Sequence, residues 1–90
     1  MSTSRDLEIV NVKGLHARAS AKFVETVECH DATARVSKDG LDAEGDSIMG
    51  LLMLAASQGT SIHVETAGPQ APELLEALEA LVADKFGEGM

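Results

Sequence analysis

Ninety residues suffice for one domain spanning 1–90, and 44% apolar with 24% charged residues is the composition of a folded chain, not a disordered tail. Fifteen acidic residues against seven basic ones leave a net charge of −8, which argues against a binder of phosphate backbones and so against nucleic acid as a partner. A single cysteine, Cys29, rules out an internal disulfide framework, and no apolar run approaches the ~20 residues that span a bilayer.

MSTSRDLEIV lacks the long apolar stretch of a secretion signal, so a cytoplasmic location without membrane insertion is expected. Within Arg5 to Val12, Leu7 and Ile9 alternate with Glu8, the pattern of a half-buried strand that Lys13-Gly14 then breaks. From His16 to about Cys29 the period changes: Ala19, Phe23, Val24 and Val27 recur at helical intervals. Ala32, Ala34 and Val36 alternate with polar neighbours. Asp39-Gly40 is a hairpin signal, and Leu41 to Glu44 reads as the return strand. Gly45-Asp46-Ser47 opens a second helix, with Asp46 expected as the cap, Ser47 in its first turn and Ser57-Gln58-Gly59 as its end. Thr60 to Thr66 is a further strand, and Gly68-Pro69 turns the chain. A last helix begins near Pro72 with Leu74, Leu75, Leu78, Leu81 and Val82 as its apolar stripe. The order β-α-β-β-α-β-α with short connections predicts an α+β fold, an open-faced sandwich with a mostly antiparallel sheet covered on one face by helices.

Gly14-Leu15-His16-Ala17-Arg18 lies at a strand-to-helix junction. The first amides of a helix have no internal partner and that end is partly positive, so it receives phosphate readily. A cation opposes that dipole, so a histidine there serves better as a neutral nucleophile. A phosphoryl group on the His16 ring would face the amides of Ala17 and Arg18, and the Arg18 guanidinium adds charge-assisted hydrogen bonds. On such physics alone, a lone histidine at a helix start is more often a surface residue or an imperfect cap. His30 and His63 read as solvated, the three histidines lack metal-ligand spacing, and no cofactor is implied. Cys29 has no partner cysteine or evident base and reads as a small core or boundary residue.

Ser47 is the second residue of interest, because a phosphate there would meet a positive helix end and alter the surface charge. The run Ile48, Met49, Leu51, Leu52, Met53, Leu54 is apolar nearly all round. With Ile48, Leu51, Leu52 and Ala55 as core, Met49 and Met53 form an exposed pair. Two readings stand: both fill core gaps, or they make an adaptable docking patch.

GLHAR at 14–18, Ser47-Ile48-Met49-Gly50, Gln58-Gly59-Thr60 before a strand, and the order of elements together resemble HPr, the histidine-containing phosphocarrier family of the bacterial phosphotransferase system. The resemblance implies three helices over a four-stranded antiparallel sheet. It implies that His16 takes a phosphoryl group on Nδ1 from phospho-enzyme I and passes it to IIA-type proteins, with Arg18 assisting. Ser47 then matches the serine modified in some lineages by an HPr kinase/phosphorylase, and Ile48, Met49 and Leu52, with neighbouring Met53, correspond to the docking surface. The carrier is expected to act as a monomer and to be a substrate of enzymes more than an independent catalyst. Ala19 stands where many members have proline, which is more like the nitrogen-related branch than the sugar-uptake one. Asp46 stands where lysine is common. A rival resemblance is to acyl carrier proteins, in which Asp46-Ser47-Ile48 would hold a phosphopantetheine arm on Ser47. Four alternating segments disfavour that helical-bundle class, and it leaves GLHAR unexplained.

Overall fold

The computed structural model describes residues 2–87, so the expected span of 1–90 runs past them at both ends. The elements are β1 (Ser2–Glu8), α1 (Ala17–Glu28), β2 (Thr33–Lys38), β3 (Leu41–Glu44), α2 (Ile48–Met53), β4 (Ser61–Ala67) and α3 (Ala71–Ala83), followed by a 3₁₀ turn at Lys85–Gly87. The four strands pair antiparallel in the order β1-β4-β2-β3. Leu7, Ile62, Val64, Ala34, Val36 and Ala43 point inward beneath the helices, while Asp6, His63, Glu65 and Arg35 stay exposed. That is the expected open-faced sandwich. A four-stranded sheet also sets aside the acyl-carrier reading, which needs a helical bundle.

Alternation placed the hairpin correctly. Lys38 pairs with Leu41 across Asp39 and Gly40, whose φ values of 51° and 83° are the left-handed geometry that a two-residue loop requires. β1 is displaced from its expected range. It begins at Ser2 because β4 reaches Ala67 and supplies partners for Ser2, Thr3 and Ser4. It ends at Glu8, after which Ile9 still exchanges hydrogen bonds with Gly59 and Thr60 before Asn11 starts a turn. Ile9 is fully buried, whereas Val12 is exposed.

The helices also differ in detail. Leu51 is buried in α2, but Ala55 and Ile48 are exposed and Leu52 is half-buried; Leu54 and Ala56 complete the core there instead. α2 stops well before Ser57, because Leu54 caps it and Ala55 turns left-handed at φ 51°. The apolar stripe of α3 packs as expected, with Leu81 at its half-buried margin. The chain's only aromatics, Phe23 and Phe86, are both fully buried. Phe86 is held from the 3₁₀ turn, where its carbonyl accepts a 2.6 Å hydrogen bond from Lys22 Nζ. Among the described residues no helix is long and apolar enough to cross a membrane.

Candidate functional site

The turn between β1 and α1 is held from three sides. Gly14 N–H donates to the Asn11 carbonyl at 3.2 Å, and the side-chain Nδ2 of Asn11, itself fully buried, donates to the Gly14 carbonyl at 2.8 Å. Leu15 N–H donates to the Ala56 carbonyl at 2.8 Å. Gly14 sits at φ +66°, and a Cβ there would lie 2.5 Å from the Ala56 oxygen. No other residue permits both that conformation and that approach. The left-handed Ala55 just before Ala56 lets the segment after α2 pass close to this turn. Such conformations cost roughly 1–2 kcal/mol and persist where surrounding contacts over-determine them.

His16 leaves this turn as the N-cap of α1, in extended backbone at φ −80° and ψ −177°. Its Nδ1 accepts a hydrogen bond from Arg18 N–H at 3.2 Å, which puts the ring proton on Nε2. The ring thus does what a serine or aspartate oxygen does at most helix starts. His16 is half-buried, and Ala17 and Arg18 are exposed. A depression of about 180 Å³ lies against the ring, lined by Lys13, Leu15, Ala55, Ala56 and Ser57. The first turn of α1 carries no acidic residue, and the cations Lys13 and Arg18 flank the histidine in the chain. The buried Ser20 hydroxyl donates to the Leu15 carbonyl at 3.4 Å, bracing the same junction from inside. Of the arrangement expected at 16–18, the ring stands at the helix start with Nδ1 on the Arg18 amide.

Asn11 and Ala56 were not singled out by sequence, and Ala55 only as a core residue of the second helix. An asparagine three residues before glycine is a turn signal. Nothing local, however, announces that Ala55 adopts a left-handed conformation or that Ala56 meets Leu15.

At the second helix the cap is Ser47, not Asp46. Ser47 Oγ accepts from Gly50 N–H at 3.1 Å, and Ser47 N–H donates to the Glu44 carbonyl at 3.1 Å. The reason lies in Gly45, whose N–H binds the Ala34 carbonyl at 2.8 Å, so the chain is still leaving β3 at Asp46. Asp46 is exposed beside the cap. Of the four expected docking residues, Met49 is 68% exposed, Met53 74% and Ile48 40%, which settles against both methionines as core filler. Leu52 is half-buried at their margin. α1 and α2 pack together, and the chain after α2 forms one wall of the His16 depression.

The remaining candidates lie elsewhere. His30 lies in the loop after α1 as expected, but half-buried rather than solvated, its Nδ1 2.8 Å from the Thr26 carbonyl. His63 is exposed on the open sheet face and pairs with Asp6 at 2.7 Å. Cys29 is the exposed C-cap of α1 and no part of the core, a correction to its expected place. Among the described residues no three His, Cys, Asp or Glu side chains converge to hold a metal ion.

The chain is similar to known proteins along most of its length. A family model described as the PTS HPr component phosphorylation site matches residues 3–84. The chain is 45% identical over 85 residues to a phosphocarrier protein HPr from Cupriavidus necator, a match covering 94% of this chain and 96% of that one. It is 39% identical over 89 residues to the phosphocarrier protein NPr of Escherichia coli, covering 98% and 99%. The crystal structure of HPr-C-His from Thermoanaerobacter tengcongensis superposes with a TM-score of 0.92 at 36% identity, over 98% of this chain and 99% of that one.

Proposed function

The chain belongs to the HPr family of phosphotransferase-system phosphocarriers, and on that premise we propose that His16 is the residue that carries the phosphoryl group. The observation that carries this reading is the Nδ1 of His16 facing the Arg18 amide at the start of α1. For transfer, the ring swings its Nδ1 lone pair off that amide and onto the phosphorus of phospho-enzyme I. The bond from phosphorus to the donor breaks as the new P–N bond forms, and Nε2 keeps its proton. The amide vacated by the ring then meets a phosphoryl oxygen, with the Arg18 guanidinium beside it. The helix start is capped in both states: by an imidazole nitrogen before transfer and by an anion after it.

Stabilisation of this kind is modest, as a carrier requires. The group stays near solvent and leaves again when a IIA-type protein offers its own nucleophile, with most positioning supplied by the partner. Ile48, Met49, Leu52 and Met53 form the adaptable apolar surface on which both partners dock in turn, which suits a monomer acting in the cytoplasm. Ser47, at the edge of that surface, is the site where an HPr kinase/phosphorylase would add a regulatory phosphate. Ala19 following Arg18 favours the nitrogen-related branch, whereas by identity the chain is nearer the HPr of Cupriavidus necator, at 45%, than the NPr, at 39%.

The test is direct. Incubation with enzyme I and phosphoenolpyruvate places one acid-labile phosphate on the wild-type chain, and His16→Ala takes none while keeping a dispersed amide spectrum. Phosphate on His16→Ala, or loss of its fold, removes the assignment.

A further inference from the structure

We propose that Asn11 is the positioning residue for the phosphoryl-accepting histidine, fixing through the Gly14–Leu15 peptide the direction in which His16 leaves the turn. The inference rests on the reading of His16 as acceptor given above. Asn11 is fully buried although its side chain is an amide, in the turn between β1 and α1. Buried amides need partners, and this one grips the carbonyl of Gly14 at 2.8 Å. The N–H of the same peptide unit, belonging to Leu15, is held at 2.8 Å by the Ala56 carbonyl. One peptide plane is therefore clamped at both ends, from Asn11 in the turn on one side and from the segment after α2 on the other. The next peptide is held at its carbonyl by Ser20. His16 follows immediately, so a rotation of the clamped plane is transmitted to the Cα–Cβ bond of the histidine within two residues.

Glycine at 14 makes the clamp necessary. At φ +66° the residue has no side chain to restrict it, and without the amide of Asn11 its peptide plane keeps only the hold of the Ala56 carbonyl on the Leu15 N–H. Small misplacements matter here, since an error of about 1 Å in a reacting group lowers rates by up to ~10²-fold. Asn11 acts on the ring through the backbone.

Two variants test it. Asn11→Ala removes the donor, and Asn11→Asp keeps the shape while turning an acceptor toward the Gly14 carbonyl. Phosphorylation by phospho-enzyme I is measured with kcat and KM separated. The expected result is a fall in kcat of about tenfold in both variants with little change in KM, the signature of lost orientation rather than lost docking. Leu78→Ala, a core cavity on α3, calibrates what reduced stability alone does and keeps the wild-type kcat. In the wild-type protein a coupling through the hydrogen bond between Asn11 Nδ2 and the Gly14 carbonyl carbon is expected by NMR. An unchanged kcat in the folded variants, or an equal fall in Leu78→Ala, overturns the positioning role. Absence of the coupling overturns the clamp itself. Failure of the acceptor assignment shows separately, as phosphate still taken up by His16→Ala, and Asn11 then loses this role with it.

Discussion

Two helix starts in this protein solve one problem with different chemistry. α1 begins at His16, whose Nδ1 accepts from the amide two residues on; α2 begins at Ser47, whose Oγ accepts from the amide three residues on. Each follows a tightly placed glycine, Gly14 against the Ala56 carbonyl and Gly45 against Ala34. The differences lie in length and charge. α1 runs 12 residues and has Lys13 and Arg18 about its start, whereas α2 runs 6 and has Glu44 and Asp46 before it. A capped helix end is therefore not by itself an anion site. The flanking charges and the chemistry of the cap decide whether the end can give up its cap and take a phosphoryl group.

The largest effect expected from breaking this comparison is at the glycines. Gly14→Ala adds a Cβ 2.5 Å from a backbone oxygen at a left-handed position, and a destabilisation of about 2 kcal/mol or more is expected by chemical denaturation. Gly45→Ala brings a Cβ 2.7 Å from that of Ala34 and is expected to cost a similar ~1–3 kcal/mol through overpacking. The two variants part in function. Only Gly14→Ala is expected to lower the rate of phosphorylation by enzyme I, because only its turn delivers His16, the proposed acceptor. Equal rates in the two would mean that the start of α1 has no privileged geometry. A smaller effect separates the caps. Ser47→Ala is expected to cost about 1 kcal/mol of stability without altering phosphoryl acceptance, measured by denaturation and by enzyme I assay in parallel.

The two ends were unequally legible in the sequence. His16 could be placed because Gly14 ends one period and Ala19, Phe23, Val24 and Val27 begin another. The cap of α2 was misassigned to Asp46 because Asp and Ser are equally good caps. The choice fell to a bond between Gly45 and Ala34, which no local pattern contains. The same holds for β1. Ser2, Thr3 and Ser4 carry no apolar alternation and are strand only because Glu65 to Ala67 lie opposite. α3 and the Asp39-Gly40 hairpin were readable because their signals are complete within a few residues. Phe86 was not, since two successive left-handed residues deliver it to the core. What the sequence hides here is wherever a distant carbonyl or strand makes the decision.

The smallest expected effect concerns charge alone. Ser47→Asp retains a side-chain oxygen for the Gly50 amide, so stability should stay within about 0.5 kcal/mol of wild type. The net charge moves from −8 to −9, and the added carboxylate stands next to Asp46 at the rim of the Met49 and Met53 surface. If partners dock there, affinity for enzyme I falls a few-fold at low salt, and the deficit shrinks as ionic strength passes about 0.1 M, where the screening length is ~10 Å. Titration calorimetry at two salt concentrations reads both parts. Equal affinity at low salt would remove the start of α2 from the docking surface, and its serine would then be a cap and nothing more. A deficit that survives high salt would instead mean that the substitution disturbs the apolar contact itself, because screening cannot restore lost packing.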